Sequence, residues 1–449
     1  MATQQSVSAA TLRDILRRLN PNRPAGFDEF AIPRVPRNSN ALRQLRTHIS
    51  ADPYAKALLS GHIGVGKSTE LFSLKKELDS DRHVIVCSIA ETLGMHNLDT
   101  FALLIVILEA CIRSWIDRLG DMPVGLVDEL VNHVRTLVPE SKRPPSTSRV
   151  GLIREIQPLQ ELFGAIPKKI STGGQLAKLY SEVLQRLALR YVSPAQLATL
   201  DPSGIAMSCE VMLKELESRA KKPVLLLIDD LDKVRNPAAQ TDIFLDRAMA
   251  LLRLHCGIVA TCPLDVLFAQ RGRELDQVWG TMYILDPFPV PDLEGATVND
   301  PTLSPYLTIL RSVGAQQAIS ALQCRKVAHA SGGIPRVFVY SCSACVTYAL
   351  EAGEPHVLDY HVDLVQRDQT DLWRGRLEDS DYEALAAVLD SGGSNVPRAV
   401  HLLRDGVLIR DGAAQDVKQF RAAPWVSPLL DSYRRRKALP QPVEGGDRK

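Results

Sequence analysis

The sequence contains no long uninterrupted hydrophobic run. Nowhere do about 18 apolar residues follow one another, which is the length that a membrane-spanning helix needs. The most apolar stretch, residues 101–116, is broken by Glu109 and Arg113. The N-terminal segment also lacks a signal-peptide core, because charges such as Asp14 and Arg17 interrupt its only hydrophobic stretch. The pattern predicts a buried helix at 101–116 and a cytoplasmic protein with no membrane partner.

The chain also has almost no excess of charge of either sign, with 53 Lys and Arg against 52 Asp and Glu in 449 residues. No overall electrostatic field therefore draws the whole molecule to nucleic acid or to an anionic membrane. A charged partner must be met by a local patch. Since 45% of the residues are hydrophobic, a chain of this length is expected to form about two to four domains with at least one large core.

Cysteine is sparse, and the 8 cysteines lie mostly in apolar runs. A chain of this length does not need disulfides to stabilise its core, so reduced thiols are expected. Cys342 and Cys345 have the spacing of a CxxC motif, but no second pair of Cys or His residues completes a zinc site beside them. The apolar segment around this pair predicts core packing.

Short apolar runs alternate with helical patterns from about residue 55 to residue 290. Five of these runs are typical of strands, at residues 57–60, 83–90, 224–229, 257–261 and 282–285. Each is continuous and apolar, as strands buried on both faces of a parallel sheet are. The alternation predicts an α/β fold in which helices cover a parallel five-stranded sheet.

The same patterns divide the chain into segments. Residues 1–27 are expected to form an N-terminal helix or arm, residues 28–290 the core with a helical insertion at about 120–205, and residues 291–368 a helical domain. In residues 369–437, helical patterns at 380–390 and 397–405 precede two short strands about a polar turn, which is typical of a winged helix. Residues 438–449 are polar and rich in Pro and Gly, which predicts a disordered tail.

A glycine-rich segment follows the first strand directly. Gly61, Gly66, Lys67 and Ser68 match the pattern G-x-x-x-x-G-K-[ST] between a strand and a helix. Glycines let this backbone turn tightly and aim its N–H groups at phosphate oxygens, and the helix presents the positive end of its dipole to the same anion. Lys67 is expected to bridge the β- and γ-phosphates of ATP, and the Ser68 hydroxyl to bind Mg²⁺.

The strand at 224–229 supplies the acidic partner that a phosphate loop requires. Asp229 ends this strand and is expected to hold Mg²⁺ through water, and Asp230 follows at a position where it would polarise the attacking water. The short side chain of Asp230 predicts slow hydrolysis. For Asp230 and Asp232, capping of the next helix is the alternative interpretation.

Two further polar residues lie where they can face the nucleotide. Thr261 ends the next strand, where its hydroxyl can sense the γ-phosphate or orient water, although a threonine is also common there for packing alone. Arg336 follows Pro335 in the first turn of a helix and is expected to reach the nucleotide from a lid. A surface position on that helical turn is the alternative for Arg336.

Together, GHIGVGKSTEL, LLLIDDLDKV, IVATCPLDVLF and SGGIPR resemble the bacterial STAND-type P-loop ATPases and their relatives, the origin-recognition and initiator-loader branch of the AAA+ superfamily. The resemblance covers roughly residues 30–435. It implies an ASCE P-loop NTPase core, a helical lid and a C-terminal winged helix-like domain. The implied site residues are Gly61, Gly64, Val65, Gly66, Lys67, Ser68 and Thr69 in the nucleotide loop, Asp229 and Asp230 as the Walker B pair, Thr261 as sensor 1 and Arg336 as sensor 2. The candidates for an arginine finger are Arg247, Arg253, Arg271 and Arg273.

The resemblance favours a regulatory ATPase switch, in which ATP binding changes conformation or assembly and hydrolysis resets the protein. Its partner or effector would be a separately encoded protein, homo-oligomers are expected, and a role in bacterial conflict or phage defence follows by analogy. The first alternative is a DNA-binding loader or motor, which has weak support because residues 374–437 carry only 11 Lys and Arg against 9 Asp and Glu. A P-loop kinase for a small molecule is the second alternative.

Overall fold

The computed structural model describes residues 9–22, 34–37, 39–89, 98–123, 125–126, 130, 203–293, 300–411 and 420–438. The central sheet consists of β1 (Lys56–Ser60), β2 (His83–Ser88), β3 (Val224–Asp229), β4 (Gly257–Cys262) and β5 (Met282–Ile284). These five strands lie in the order β2-β3-β4-β1-β5, and each pairing is parallel. The predicted α/β fold is confirmed, with strand ends shifted by one or two residues.

The strands are apolar throughout because helices cover the sheet on both faces. Leu226 and Ile228 of β3 belong to the cluster formed with the helices Thr100–Leu119 and Ser203–Ala220. Leu225 and Leu227 belong to the cluster formed with the helices Asn40–Ala51 and Lys67–Leu78. Successive side chains of a strand point to opposite faces, so an unbroken apolar run supplies both cores.

The described α-helices lie before, between and after the strands. They are α1 (Ala9–Arg18), α2 (Asn40–Ala51), α3 (Lys67–Leu78), α4 (Thr100–Leu119), α5 (Ser203–Ala220), α6 (Pro237–Thr241), α7 (Met249–Leu252), α8 (Leu264–Phe268), α9 (Gly272–Trp279), α10 (Ser304–Ser312), α11 (Ala321–Ala330), α12 (Pro335–Glu351), α13 (Asp359–Arg374), α14 (Asp379–Asp390), α15 (Val400–Arg404) and α16 (Ser427–Ala438). A 3₁₀ turn, Leu231–Lys233, follows β3 after a single intervening residue, Asp230. The buried helix predicted at 101–116 is confirmed as α4.

Helices α10 to α13 form a helical domain with its own core. Leu12, Ile15 and Leu19 from α1 and the residue after it belong to the same cluster, so the N-terminal helix packs onto this domain. Cys342 and Cys345 lie on α12 and are buried in that core, which confirms the packing prediction for the CxxC pair. All the cysteines of the chain are free and buried.

The C-terminal segment combines α14, α15 and α16 with an antiparallel pair of strands, β6 (Leu408–Arg410) and β7 (Phe420–Ala422). Two helices followed by two strands are present as predicted, whereas α16 is an additional helix. The C-terminal half of α16 carries the basic run at residues 434–437, of which Arg435, Arg436 and Lys437 lie in the last turn. The winged-helix interpretation stays a prediction, because residues 412–419 between the strands lie outside the described residues.

Two predicted segments fall wholly or largely outside the described residues. These are the helical insertion at about 120–205, of which residues 131–202 are not described, and the tail, of which only residue 438 is described. Within the described ranges, no helix combines the length and the apolar character needed to span a bilayer.

Candidate functional site

The glycine-rich loop joins the end of β1 to the start of α3. Ser60 ends the strand and Lys67 begins the helix, so residues 61–66 make the whole turn. Gly66 precedes the helix with φ +109°, a left-handed conformation that glycine adopts without strain. Glycine has no side chain with which to cap the first N–H groups of α3. These N–H groups, with the positive end of the helix dipole, form a site for an anion.

Lys67 lies inside this loop and is only 4% exposed. Its Nζ donates hydrogen bonds to the carbonyl oxygens of Gly61, at 2.6 Å, and His62, at 2.9 Å. The same Nζ forms an ion pair with Asp232 Oδ2 at 2.9 Å. The structure therefore places Lys67, the expected phosphate-binding residue, in the loop and next to Asp232, a carboxylate that the sequence pattern does not pair with it.

Ser68 and Asp229, the expected magnesium ligands, contact each other. The Ser68 hydroxyl donates a hydrogen bond to the Asp229 carboxylate, which lies at the end of β3 and is 6% exposed. Burial, together with the charge of the neighbouring Asp230, raises the pKa of Asp229 to about 6. Hydroxyl and carboxylate oxygens are ligands that Mg²⁺ prefers. The residues present therefore fit the expected ion.

Magnesium binding at this site is expected to weaken below about pH 6. The ion requires the ionised carboxylate of Asp229, whose pKa of about 6 lies above the usual aspartate range. Because binding must then displace one proton, the dissociation constant for Mg²⁺ should rise about tenfold for each pH unit below that value. Mg²⁺ titrations of the ATP-saturated protein from pH 5 to pH 8 measure this dependence.

Asp229→Asn is the control for this titration, because protonation of the nucleotide itself also changes with pH. In that variant the part of the pH dependence that belongs to the protein should disappear. An Mg²⁺ dissociation constant whose pH dependence is the same in the variant and in the wild type would contradict the assignment of Asp229.

Asp230 has a left-handed backbone, with φ +71°, which few residues other than glycine adopt. Its Oδ2 accepts a hydrogen bond from Ser88 Oγ at 2.9 Å, and its Oδ1 pairs with Lys233. Ser88 ends β2, which lies on the side of β3 away from β1. Among the described residues, Asp232 and Lys233 line the cavity beside the phosphate loop and Asp230 does not. The carboxylate of Asp230 thus points towards β2 and away from the cavity beside the phosphate loop.

Thr261 and Arg336 both lie close to this centre. Thr261 is fully buried near the end of β4, and its Oγ1 accepts a hydrogen bond from the backbone N–H of Asp232 at 3.4 Å. Arg336 is in the first turn of α12 and lines the same cavity. Its backbone N–H donates to the carbonyl oxygen of Gly64 at 3.2 Å, and its Nε to the carbonyl oxygen of Pro21 at 3.1 Å. The helical domain therefore touches the phosphate loop through Arg336.

The cavity beside the loop has an apolar side built from three parts of the chain. Val35 precedes α2, Phe288 follows β5, and Ile309 and Val339 come from the helical domain. A planar base can pack against such a surface while its phosphates lie in the loop. No sequence motif marks these residues, because they are distant from one another along the chain.

Arg37 is a further residue that the motifs did not single out. Its guanidinium donates to the carbonyl oxygens of Asp286, at 2.8 Å, and Val65, and lies 4.1 Å from the centre of the Phe288 ring. Burial lowers the pKa of Arg37 to about 10. The pattern IPRVPR before the first strand is the only sequence signal of this contact. Arg37 thus connects the segment before α2 to the phosphate loop.

His62 connects the phosphate loop to the C-terminal segment. Its Nε2 accepts a hydrogen bond from the backbone N–H of Arg410 in β6 at 2.8 Å. Burial, and then the charge of Lys67, lowers the pKa of His62 to about 3, so the ring is neutral. Arg410 also pairs with Asp286, which follows β5. All three parts of the structure therefore meet at this loop.

Two of the four candidates for an arginine finger form ion pairs with carboxylates of the same chain. Arg271 pairs with Asp246 at 3.1 Å and with Glu274 at 2.7 Å, and Arg247 pairs with Asp242 at 3.3 Å. Arg253 follows α7 and Arg273 lies in α9. These positions do not single out one of the four.

Gly64→Ala is expected to push the helical domain away from the loop. A Cβ at Gly64 would lie 2.6 Å from Cβ of Arg336, closer than packed side chains allow, and φ is +84°. We expect a lower melting temperature and an affinity for ATP at least about tenfold weaker, since a shift of the loop or of α12 disturbs the anion site. Calorimetry and thermal unfolding measure the two effects.

Gly280→Ala is the matched control, because Gly280 also has a left-handed backbone, with φ +72°, but nothing lies within 4 Å of its Cβ position. Its backbone strain should lower stability without changing ATP affinity. Equal affinities in the Gly64 and Gly280 variants would contradict the proposed effect of the Arg336 contact.

The sheet order and the loop together define the class of fold. The strand that leads into the phosphate loop, β1, lies beside β4, and β3, with its acidic end, lies on the other side of β4. The chain thus has the α/β core of an ASCE P-loop NTPase, followed by a helical C-terminal region.

Several solved structures have a similar arrangement of helices and strands, and those of three proteins are among them. Cdc6p from Pyrobaculum aerophilum is 12% identical, with 96% of this chain and 90% of that chain covered and a TM-score of 0.39. The ORC2 protein of Aeropyrum pernix is 11% identical, with 94% and 98% covered and a TM-score of 0.43. The RuvB Holliday junction branch migration motor of Thermotoga maritima is 13% identical, with 95% and 100% covered and a TM-score of 0.38.

All three TM-scores lie below 0.5. No protein-family model and no curated protein sequence matches it.

Proposed function

We propose that this chain is an ATP-binding and hydrolysing regulatory switch that changes conformation or assembly to control a partner protein. The observation that supports this most strongly is the contact between the helical domain and the phosphate loop. The backbone N–H of Arg336 donates to Gly64 at 3.2 Å, and its side chain lines the same cavity as Lys67. A nucleotide bound in the loop would therefore contact both domains, so that binding and hydrolysis can change their arrangement.

In the proposed reaction, Lys67 and the first N–H groups of α3 bind the β- and γ-phosphates. Ser68 and Asp229 would hold Mg²⁺, which neutralises the charge that develops on the transferred phosphoryl group. A water molecule forms a bond to the γ-phosphorus while the bond from that phosphorus to the β,γ-bridging oxygen breaks. Asp230 accepts the proton of the water, and the products are ADP and inorganic phosphate.

The contacts of Asp230 mean that this step needs a side-chain movement. Its carboxylate lies against Ser88 and Lys233 and must turn towards the cavity before it can reach the water. Thr261 and Arg336 would orient the water and the γ-phosphate from the two sides of the site. A required movement and a short side chain both agree with slow hydrolysis.

The ATPase proposal is tested by incubating the purified protein with ATP and Mg²⁺ and identifying the products. We expect slow release of free phosphate, together with a change in molecular mass measured by light scattering when ATP is added. A phosphorylated metabolite, formed in place of free phosphate from a panel of small acceptors, would indicate a P-loop kinase and contradict the switch.

The motifs resemble those of STAND-type ATPases, which supports a cytoplasmic role with a separately encoded effector, in bacterial conflict or a related process. A pull-down from a native lysate with and without ATP tests this part of the proposal. Nucleotide-dependent recovery of one specific protein is expected. Identical recoveries in both conditions would contradict nucleotide control of a partner.

The described residues of the C-terminal segment offer little unpaired positive charge for duplex DNA. Arg434 pairs with Asp390 at 2.7 Å, and Lys437 pairs with Glu383. These contacts neutralise much of the basic run in α16. We therefore expect no DNA shift, or a weak one, at about 150 mM salt. A tight complex at about 50 mM salt whose affinity falls steeply at about 200 mM would favour a DNA loader instead.

A further inference from the structure

We propose that Asp232 controls nucleotide affinity by competing with phosphate for Lys67. This inference rests on the proposed function, because it assigns a second task to the same site. Asp232 lies three residues beyond the end of β3, in the 3₁₀ turn Leu231–Lys233. It belongs to the cavity lining together with Lys67 and Ser68.

The first support is that Lys67 has no spare hydrogen-bond donor in this structure. A lysine ammonium carries three N–H donors. Lys67 Nζ has three acceptors, which are the carbonyl oxygens of Gly61 at 2.6 Å and His62 at 2.9 Å, and Asp232 Oδ2 at 2.9 Å. A phosphate oxygen can therefore bind this ammonium only if one of these acceptors gives way or shares a donor.

The second support is that Asp232 is the only charged group among the three acceptors of Lys67 and that it is held in place. Its side chain is 8% exposed and that of Lys67 is 3% exposed, so the pair is shielded from solvent. The backbone N–H of Asp232 donates to Thr261 Oγ1 at 3.4 Å, which joins the 3₁₀ turn to the end of β4. The carboxylate therefore remains close to the ammonium, where an arriving phosphate meets a like charge.

The third support is that the neighbouring carboxylates have other partners. Asp229 accepts a hydrogen bond from Ser68, and Asp230 accepts one from Ser88 and pairs with Lys233. The left-handed backbone of Asp230 separates these directions, since it reverses the chain directly after the strand. Consequently Asp232, and not Asp230, faces the phosphate-binding Lys67.

Removal of the Asp232 charge should therefore strengthen nucleotide binding. In the unliganded protein it leaves a buried ammonium with carbonyl partners only, which destabilises the empty site. In the complex it removes a negative charge beside the phosphates. Both effects favour the bound state, so the affinity for ATP should increase. Damage to the structure would instead lower this affinity.

The test measures the dissociation constant for ATP in the presence of EDTA, so that the metal ligands play no part. We expect Asp232→Asn to bind ATP about tenfold more tightly than the wild-type chain. Asp265→Asn is the matched control, because Asp265 is also buried, at 6% exposure, has Gln240 as its partner and does not line the cavity. Its affinity should equal that of the wild type.

Asp232→Ala provides a second variant if the asparagine variant does not fold, because it removes the carboxylate without adding a donor. It should change the affinity in the same direction. If the wild type binds ATP and both Asp232 variants bind it equally or more weakly, this inference is overturned. If the wild type itself does not bind ATP with or without Mg²⁺, the proposed function fails instead, so the two failures can be distinguished.

Discussion

Lys67→Ala is expected to abolish ATP binding. Lys67 is buried in the loop, and its ammonium is already within hydrogen-bonding distance of Gly61 and His62. The variant loses charge-assisted hydrogen bonds to two phosphate groups, which are among the strongest that a protein makes. We expect a loss of affinity of about 100-fold or more, equivalent to about 3 kcal/mol. Calorimetric titration with ATP and Mg²⁺ measures it directly.

Two further variants separate loss of the ligand contact from damage to the fold. Lys76→Ala removes an exposed lysine from the same helix and should leave the affinity within about twofold of wild type. Lys67→Ala alone leaves Asp232 buried without its counter-ion, which should lower the free energy of unfolding by about 3 kcal/mol. The double variant Lys67→Ala/Asp232→Asn removes both charges and should recover stability without recovering binding. ATP affinity in Lys67→Ala that stays within about fivefold of wild type would refute the assignment.

Asp230→Asn is expected to stop ATP hydrolysis and to leave ATP binding intact. Asparagine tolerates the left-handed conformation that φ +71° requires, and its carbonyl oxygen can still accept the hydrogen bond from Ser88. The substitution thus removes the base, together with the charge that pairs with Lys233, and keeps the backbone conformation and the contact with Ser88. Loss of a general base typically lowers turnover by about 10²- to 10⁴-fold. Single-turnover phosphate release measures the rate, and calorimetry measures the affinity.

Asp230→Ala is a less specific change, because alanine in a left-handed conformation costs about 1 kcal/mol and loses the contact with Ser88. Measuring phosphate release by Asp232→Asn in the same way compares the two carboxylates that follow Asp229. Wild-type turnover in Asp230→Asn, with a large loss in Asp232→Asn, would assign the base to Asp232 and contradict the mechanism proposed for Asp230.

The sheet and the phosphate loop are predictable from the sequence because each depends on a short continuous pattern. A strand buried on both faces is an unbroken apolar run, and Val224–Asp229 matches its predicted bounds. Gly66, Lys67 and Ser68 occupy the strand-to-helix turn that their spacing requires. Arg336 follows Pro335 in the first turn of α12, as the helix-start signal indicates, and lies at the loop.

The remaining site residues depend on contacts that no local pattern encodes. Arg37 meets Asp286 across 249 residues of sequence, and His62 meets Arg410 across 348 residues. The pairing of Asp232 with Lys67 follows from the backbone conformation of a single residue, Asp230, after the strand. A one-dimensional reading of IDDLD cannot tell which of its carboxylates faces the loop.

The loop at residues 61–69 and the acidic end of β3 are expected to bind ATP with Mg²⁺. Isothermal titration of the purified full-length chain tests it most directly. We expect a saturable heat of binding for ATP, a stoichiometry near one nucleotide per chain, and no such heat for Lys67→Ala. Absence of any binding heat for the wild type at several temperatures, with either ATP or GTP and Mg²⁺, would contradict the account.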